Sequence, residues 1–266
     1  MTIPPGAGVA GEIPRRGAKP PPSGGGSRAR ALTQSTHMSD RRIPGTLQER
    51  PRRRLTLADG IGEVLGAVSR SGFALVRAAV PASDRHRLLA EADAAAGRFL
   101  RVPSRVNRVE QQADQLTLRV GDERFPAVNA LATALQALLT SCADTYGVHR
   151  FAATEGRYMR YRGRRGGLGP HRDGMCYGLV VAVYSLTGSA PFTVLPDEAD
   201  ADEAPLRLLV DPGDLLLLRA PGFDGEADGR RLHAVGAPLS GDRVSLTLRM
   251  VGRHGSSAPD RWSRAG

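Results

Sequence analysis

Two cysteines in 266 residues, Cys142 and Cys176, exclude a disulfide framework and a four-cysteine zinc site. No apolar run approaches the roughly 20 residues needed to span a bilayer, so no membrane segment is expected. The pair Arg15–Arg16 is not followed by an apolar stretch, which argues against a secretion signal and for a cytoplasmic protein. Lysine is almost missing: Lys19 is the only one among 37 basic residues. The abundance of arginine is therefore a habit of composition before it is evidence of a designed patch. Aromatic residues make up 5% of the chain, too few for the interleaving of rings and cations by which single-strand nucleic-acid binders work.

The net charge of +10 is unevenly placed. Residues 1–55 hold eleven Lys/Arg against three acids, leaving the remainder near neutrality. Residues 1–54, with "KPPPSGGGS" as their extreme, lack apolar periodicity and read as a disordered Arg/Pro/Gly-rich segment. Met38 is an alternative start for the chain. Order is expected from Leu55, with 55–252 as one domain and 253–266 as a tail.

Within that domain, 55–150 reads as mostly helical. Ile61, Leu65 and Val68 have helical spacing, and "FALVRAAV" (73–80) reads as a strand. A helix capped by Ser83 would bury Leu88, Ala92, Ala95 and Phe99. Another, from Pro126 to about Tyr146, would bury Leu131, Leu135, Leu138 and Cys142, which makes Cys142 a packing residue. Beyond 150 the texture turns to short β runs between Gly, Pro and Asp turns: 156–162, 178–186, 191–195, 206–210, 214–218 and 243–251. "GLVVAVYSL", apolar on both faces, is a central strand. "DPGD" turns the chain into "LLLL". The fold class is α+β, with helices first and then a β barrel or jelly roll.

The stretch "GLGPHRDGMC" carries the chemistry. In an extended chain, residues two apart point the same way, so His171 and Asp173 face one point. The strand "RVSLTLRM" (243–250) has one apolar face, while the other carries Arg243, Ser245, Thr247 and Arg249. A solvated polar face is the common case; inside a barrel mouth the same face would grip a carboxylate. His233 precedes Arg243 by ten residues. If it returns to the same mouth, two imidazoles and a carboxylate meet, a donor set that suits non-haem Fe(II) and also zinc.

These residues, as H-x-D, a distal His and His-x10-Arg-x-Ser, resemble the Fe(II)/2-oxoglutarate-dependent dioxygenases. "VDPGDLLLL" resembles that family's strand before the distal His, and "YRGRRGGLGPHRD" resembles the lead-in of its prolyl-hydroxylase-like and AlkB-like branches. In this chain the glycine stands two residues after Tyr161 rather than three. The resemblance covers roughly residues 155–252. It implies a double-stranded β-helix (jelly-roll) core over 151–252 with N-terminal supporting helices. It implies His171, Asp173 and His233 as metal ligands and catalytic centre, and Arg243, Ser245 and Tyr161 as the 2-oxoglutarate site. The co-substrates implied are 2-oxoglutarate and O2, with release of succinate and CO2. Because Asp173 supplies the carboxylate that the halogenating branch lacks, hydroxylation or a related C–H oxidation is expected.

A small-molecule substrate is the first expectation, and nothing sets an oligomeric state. Oxidative nucleic-acid demethylation is the second, carried by Arg243-x5-Arg249 and the basic N-terminal segment. A non-catalytic carboxylate-binding barrel is the third. His37, His86 and His254 read as solvated, His149 as structural, Cys176 as a small core thiol and Arg160 as a surface cation. Arg249 is a candidate for the pocket. The acidic run 197–203 and the loop 219–231 are expected to flank its mouth.

Overall fold

A computed structural model describes residues 60–106, 109–142, 145–196 and 204–252. The expectations for 1–54, Leu55, His37, the run 197–203, His254 and the tail 253–266 lie outside the described residues. No helix among the described residues is long and apolar enough to cross a membrane.

Three α-helices, α1 (Ile61–Ser71), α2 (Ala82–Ala94) and α3 (Pro126–Thr140), precede most of the strands. Helix α1 buries Val64, Leu65 and Val68 and ends at Gly72, whose left-handed φ of 75° lets its N–H reach the Val68 carbonyl at 2.8 Å. A Cβ at Gly72 would lie 2.2 Å from Arg231 Cγ, so the site also needs the missing side chain. The cap of α2 is Pro81, not Ser83, and it makes no side-chain bond. Helix α3 starts with Pro126 at a position where no backbone donor is needed. Its free N–H groups at Ala127 and Val128 donate to the Glu91 carboxylate of α2, at 2.5 and 3.2 Å. Its buried face is Val128, Ala132, Leu135 and Leu139, rotated from the expected stripe, and Leu131 and Cys142 pack at its margin.

The strands are β1 (Phe73–Val76), β2 (Leu100–Arg101), β3 (Arg105–Val106), β4 (Val109–Gln112), β5 (Asp114–Arg119), β6 (Glu155–Tyr161), β7 (Gly167–His171), β8 (Tyr177–Thr187), β9 (Ala190–Val194), β10 (Leu206–Val210), β11 (Leu215–Arg219), β12 (His233–Val235) and β13 (Arg243–Val251). They form two antiparallel sheets, ordered β1-β11-β8-β13-β6-β5-β2 and β10-β9-β12-β7-β4-β3. The region before 150 is thus less helical than its sequence suggests: β1, β2 and β5 extend the first sheet, and β3 and β4 extend the second. In β5, Leu116 and Leu118 alternate with Gln115 and Thr117, a half-buried strand pattern inside a charged stretch.

The central strands of the first sheet are buried on both faces, and residue parity sorts the faces. Val180, Ala182, Tyr184, Leu186, Leu215, Leu217, Val244, Leu246 and Leu248 pack under the helices. Val181, Leu216 and Leu218 face the second sheet and meet Phe192, Val194 and Val210 there. The run of four leucines therefore serves two cores in turn. The "DPGD" turn is held by Asp214, whose carboxylate accepts from Arg77 at 2.5 Å, Ala78 N–H at 3.2 Å and Asp211 N–H at 2.9 Å. Central β8 lies between β11 and β13, as its two-sided apolarity requires.

Candidate metal centre

Short strands of the second sheet position the two histidines. In β7, "GLGPH" has three residues that disfavour strands, yet it pairs with β12 on one side and β4 on the other. Within β12, His233 stands opposite His171 on β7 and Val194 on β9. The β7–β12 register shifts between His233 and Val235, a bulge of the kind that aims side chains. Asp173 follows two residues beyond His171.

These elements bring the three side chains together. One ligand atom each from His171, Asp173 and His233 lies within 4.8 Å of the others. The imidazole centroids are 4.3 Å apart, and His233 Nε2 is 3.9 Å from Asp173 Oδ2. Nδ1 of His171 is 2.8 Å from the Gly169 carbonyl, and Nδ1 of His233 is 3.0 Å from the Arg231 carbonyl. A carbonyl only accepts, so each Nδ1 carries a proton, and in the neutral ring this tautomer leaves Nε2 as the ligating atom. Burial pushes the His233 pKa down against the opposing pull of Asp173, favouring the neutral, ligating ring. Phe192 stacks on that ring at 5.3 Å between centroids. Two imidazoles presenting Nε2 and one carboxylate fit a divalent transition metal with open positions for further ligands.

The cluster lines a cavity of about 400 Å³ between the sheets. Arg243, at the start of β13, enters it with 3% exposure, opposite Tyr161 on β6. Its Cζ is 5.3 Å from the Tyr161 ring centroid, and Arg243 and Ser245 pull the Tyr161 pKa down against the larger effect of burial. No carboxylate among the described residues pairs with this guanidinium, and its Nε has no partner. Burial consequently pulls the Arg243 pKa down and pushes the Tyr161 phenol up. A buried cation without a counter-ion is costly, and an anionic ligand would remove that cost.

All six residues singled out in the sequence line this one cavity or its wall. His86 and His149 are exposed and lie outside it. Arg160 is not simply solvated: it bonds Asp93 of α2 at 3.0 Å and covers Phe99 at 4.6 Å, fastening helix to sheet. From the loop 219–231, Arg230 donates to the Asp173 carbonyl and so braces the ligand segment. The sequence reading missed Arg157 and Tyr177 in the lining, and Glu155 beside them. The signal for Arg157 was present, because 157, 159 and 161 share a face on β6.

No family model matches the chain, and no curated protein matches its sequence. Solved structures do match. A prolyl hydroxylase from Trichoplax adhaerens, in complex with a hypoxia-inducible-factor oxygen-degradation-domain peptide, is 18% identical with a TM-score of 0.54. The match covers 71% of this chain and 88% of that one. A Pseudomonas putida prolyl-4-hydroxylase is also 18% identical with a TM-score of 0.54, over 72% of this chain and 98% of that one. The non-haem α-ketoglutarate-dependent carbocyclase SnoK of nogalamycin biosynthesis is 12% identical with a TM-score of 0.54, over 75% and 87%.

Proposed function

We propose that this chain, which has the α+β jelly-roll fold of the 2-oxoglutarate-dependent enzymes, is an Fe(II)- and 2-oxoglutarate-dependent oxygenase acting on a C–H bond of a small molecule. One observation carries the reading: the His171–Asp173–His233 cluster and the unpaired guanidinium of Arg243 share one cavity. A lone metal site would not need the buried arginine, and a zinc hydrolase has no use for a dicarboxylate clamp.

In this reading His171, Asp173 and His233 hold the iron from one side, each imidazole fixed in tautomer by a backbone carbonyl. Arg243 receives the far carboxylate of 2-oxoglutarate, with Ser245 and the Tyr161 hydroxyl beside it. Val183, Leu216, Leu218 and Phe192 keep the cavity wall apolar and limit water near the reacting atoms. When bound, iron and 2-oxoglutarate supply the oxidation: O2 and 2-oxoglutarate become succinate, CO2 and one oxygen atom delivered to the substrate. A carboxylate at 173 keeps the third protein ligand in place, which favours hydroxylation or related C–H oxidation over halogenation.

The test is succinate release under air with Fe(II) and 2-oxoglutarate. The reading expects iron-dependent succinate from the wild-type protein, at least a hundredfold less from His171→Ala and Asp173→Ala, and stimulation by the true substrate. Wild-type protein that binds 2-oxoglutarate but releases no succinate in any condition is a carboxylate-binding module instead.

A further inference from the structure

Arg243 is not the only buried cation facing the cavity. Six residues along the same face of β13, roughly 20 Å away at the usual strand rise, Arg249 enters it with 5% exposure. Arg157, across on β6, lines the same end. One acid serves both: Glu155 Oε1 lies 2.6 Å from Arg249 Nη2 and 3.3 Å from Arg157 Nη2. Two guanidiniums thus share one carboxylate, and among the described residues no second carboxylate forms an ion pair with either. Nε of each arginine is buried with no hydrogen-bond acceptor. Burial first, and Arg157 second, pull the Arg249 pKa down, as expected of a cation lacking part of its compensation.

The backbone beside this group is strained. Leu179 holds φ at +64°, a region bulky side chains avoid, and backbone bonds to Pro221 (2.8 Å) and from Ala220 (3.0 Å) keep it there. The β8–β13 register shifts at the same level, between Arg249 and Met250. Beside the bulge, the Tyr177 ring lies 4.2 Å from Arg249 Cζ and fixes the guanidinium from one side. His171, Asp173 and His233 line the same cavity as Arg243 and Arg249, so the metal cluster shares one space with both arginines.

We propose that Arg157 and Arg249 form a second anion seat, which takes a carboxylate of the oxidised substrate and presents that substrate to the metal centre from the end opposite Arg243. The seat stands on its own geometry; only its assignment to the primary substrate rests on the oxygenase reading. The planar, ring-backed guanidinium and the single shared acid favour a monoanionic carboxylate over a phosphate. With 2-oxoglutarate sharing the cavity of about 400 Å³, the substrate is a small carboxylic acid.

The experiment uses butyrate as probe and its neutral isostere butyramide as control. Calorimetry is run anaerobically on protein loaded with Fe(II) and saturating 2-oxoglutarate, so that Arg243 is occupied. A parallel series uses metal-free Arg243→Met protein, in which the first anion seat is gone. Butyrate is expected to bind at least about tenfold more tightly than butyramide in both series. Arg249→Gln and Arg157→Gln should each weaken butyrate about tenfold, with 2-oxoglutarate affinity unchanged. Glu155→Gln, which removes the competing acid, should tighten it; this variant keeps the test decisive if an arginine variant does not fold. Equal binding of acid and amide, unchanged butyrate affinity in Arg249→Gln, or no gain in Glu155→Gln overturns the proposal and leaves a structural ion triad. Loss of 2-oxoglutarate rather than butyrate in Arg249→Gln also overturns it, by giving Arg249 to the co-substrate. Inorganic phosphate binding more tightly than butyrate through the same arginines overturns the carboxylate assignment. Arginine-dependent butyrate binding in the Arg243→Met series, with no 2-oxoglutarate binding by wild type, upholds the seat and refutes the oxygenase reading instead.

Discussion

The two faces of β13 are buried to the same degree and built on opposite rules. Val244, Leu246 and Leu248 lie under the helices in a contiguous apolar core. Arg243, Ser245 and Arg249, interleaved with them, are equally shielded from bulk water, yet both guanidiniums have donors without acceptors. Burial alone does not tell a core from a site; polar satisfaction does. The helix-side face stabilises the fold. The inward face costs stability that a bound anion returns. The tyrosines of β6 repeat the contrast three residues apart. Tyr158 donates to the Leu88 carbonyl of α2 at 3.0 Å, and Tyr161 lines the cavity beside Arg243.

Substitutions on the two faces should therefore separate stability from binding. Leu246→Ala empties a fully buried position under the helices and should cost about 2–5 kcal/mol of unfolding free energy. Chemical denaturation measures that, while 2-oxoglutarate affinity of the folded fraction stays as in wild type. Loss of affinity at unchanged stability would break the division of faces. Arg243→Met should do the reverse. Ligand-free stability stays the same or rises by about 1–4 kcal/mol, because an uncompensated buried charge is gone. Affinity for 2-oxoglutarate falls roughly a hundredfold by calorimetry. The smallest effects come from the tyrosines. Tyr158→Phe should lower stability by about 1 kcal/mol and leave binding alone, whereas Tyr161→Phe should weaken 2-oxoglutarate severalfold with little change in stability.

Much of this contrast was legible in the sequence, because period-2 alternation in 243–250 separates the two faces without any structure. The ligands were legible as residue types at recurring offsets. The strands that carry them were not. "GLGPH" is not among the expected β runs because two glycines and a proline hide it, "HAV" is too short to register, and both become strands only through neighbours distant in the chain. Similarly, β2 to β5 lie in a charged stretch whose pairing is supplied by β6 and β7. The face of α3 was misjudged because leucines crowd its sequence, and which of them is buried depends on the angle at which the helix meets α2 and the sheet. Glu155 and Arg157 went unread because a charged pair at a strand start looks solvated until the opposite strand delivers Arg249 onto it.

The most direct test of the central claim is an anaerobic absorption titration of the metal-free protein with Fe(II) and then 2-oxoglutarate. Convergence of His171, Asp173 and His233 in front of Arg243 predicts a weak visible charge-transfer band of the chelated co-substrate. The band should saturate at one equivalent of iron, be lost in His233→Ala, and in Arg243→Met need far more 2-oxoglutarate to reach the same intensity. A wild-type protein with no such band, or a His233→Ala protein that keeps it undiminished, would contradict the account.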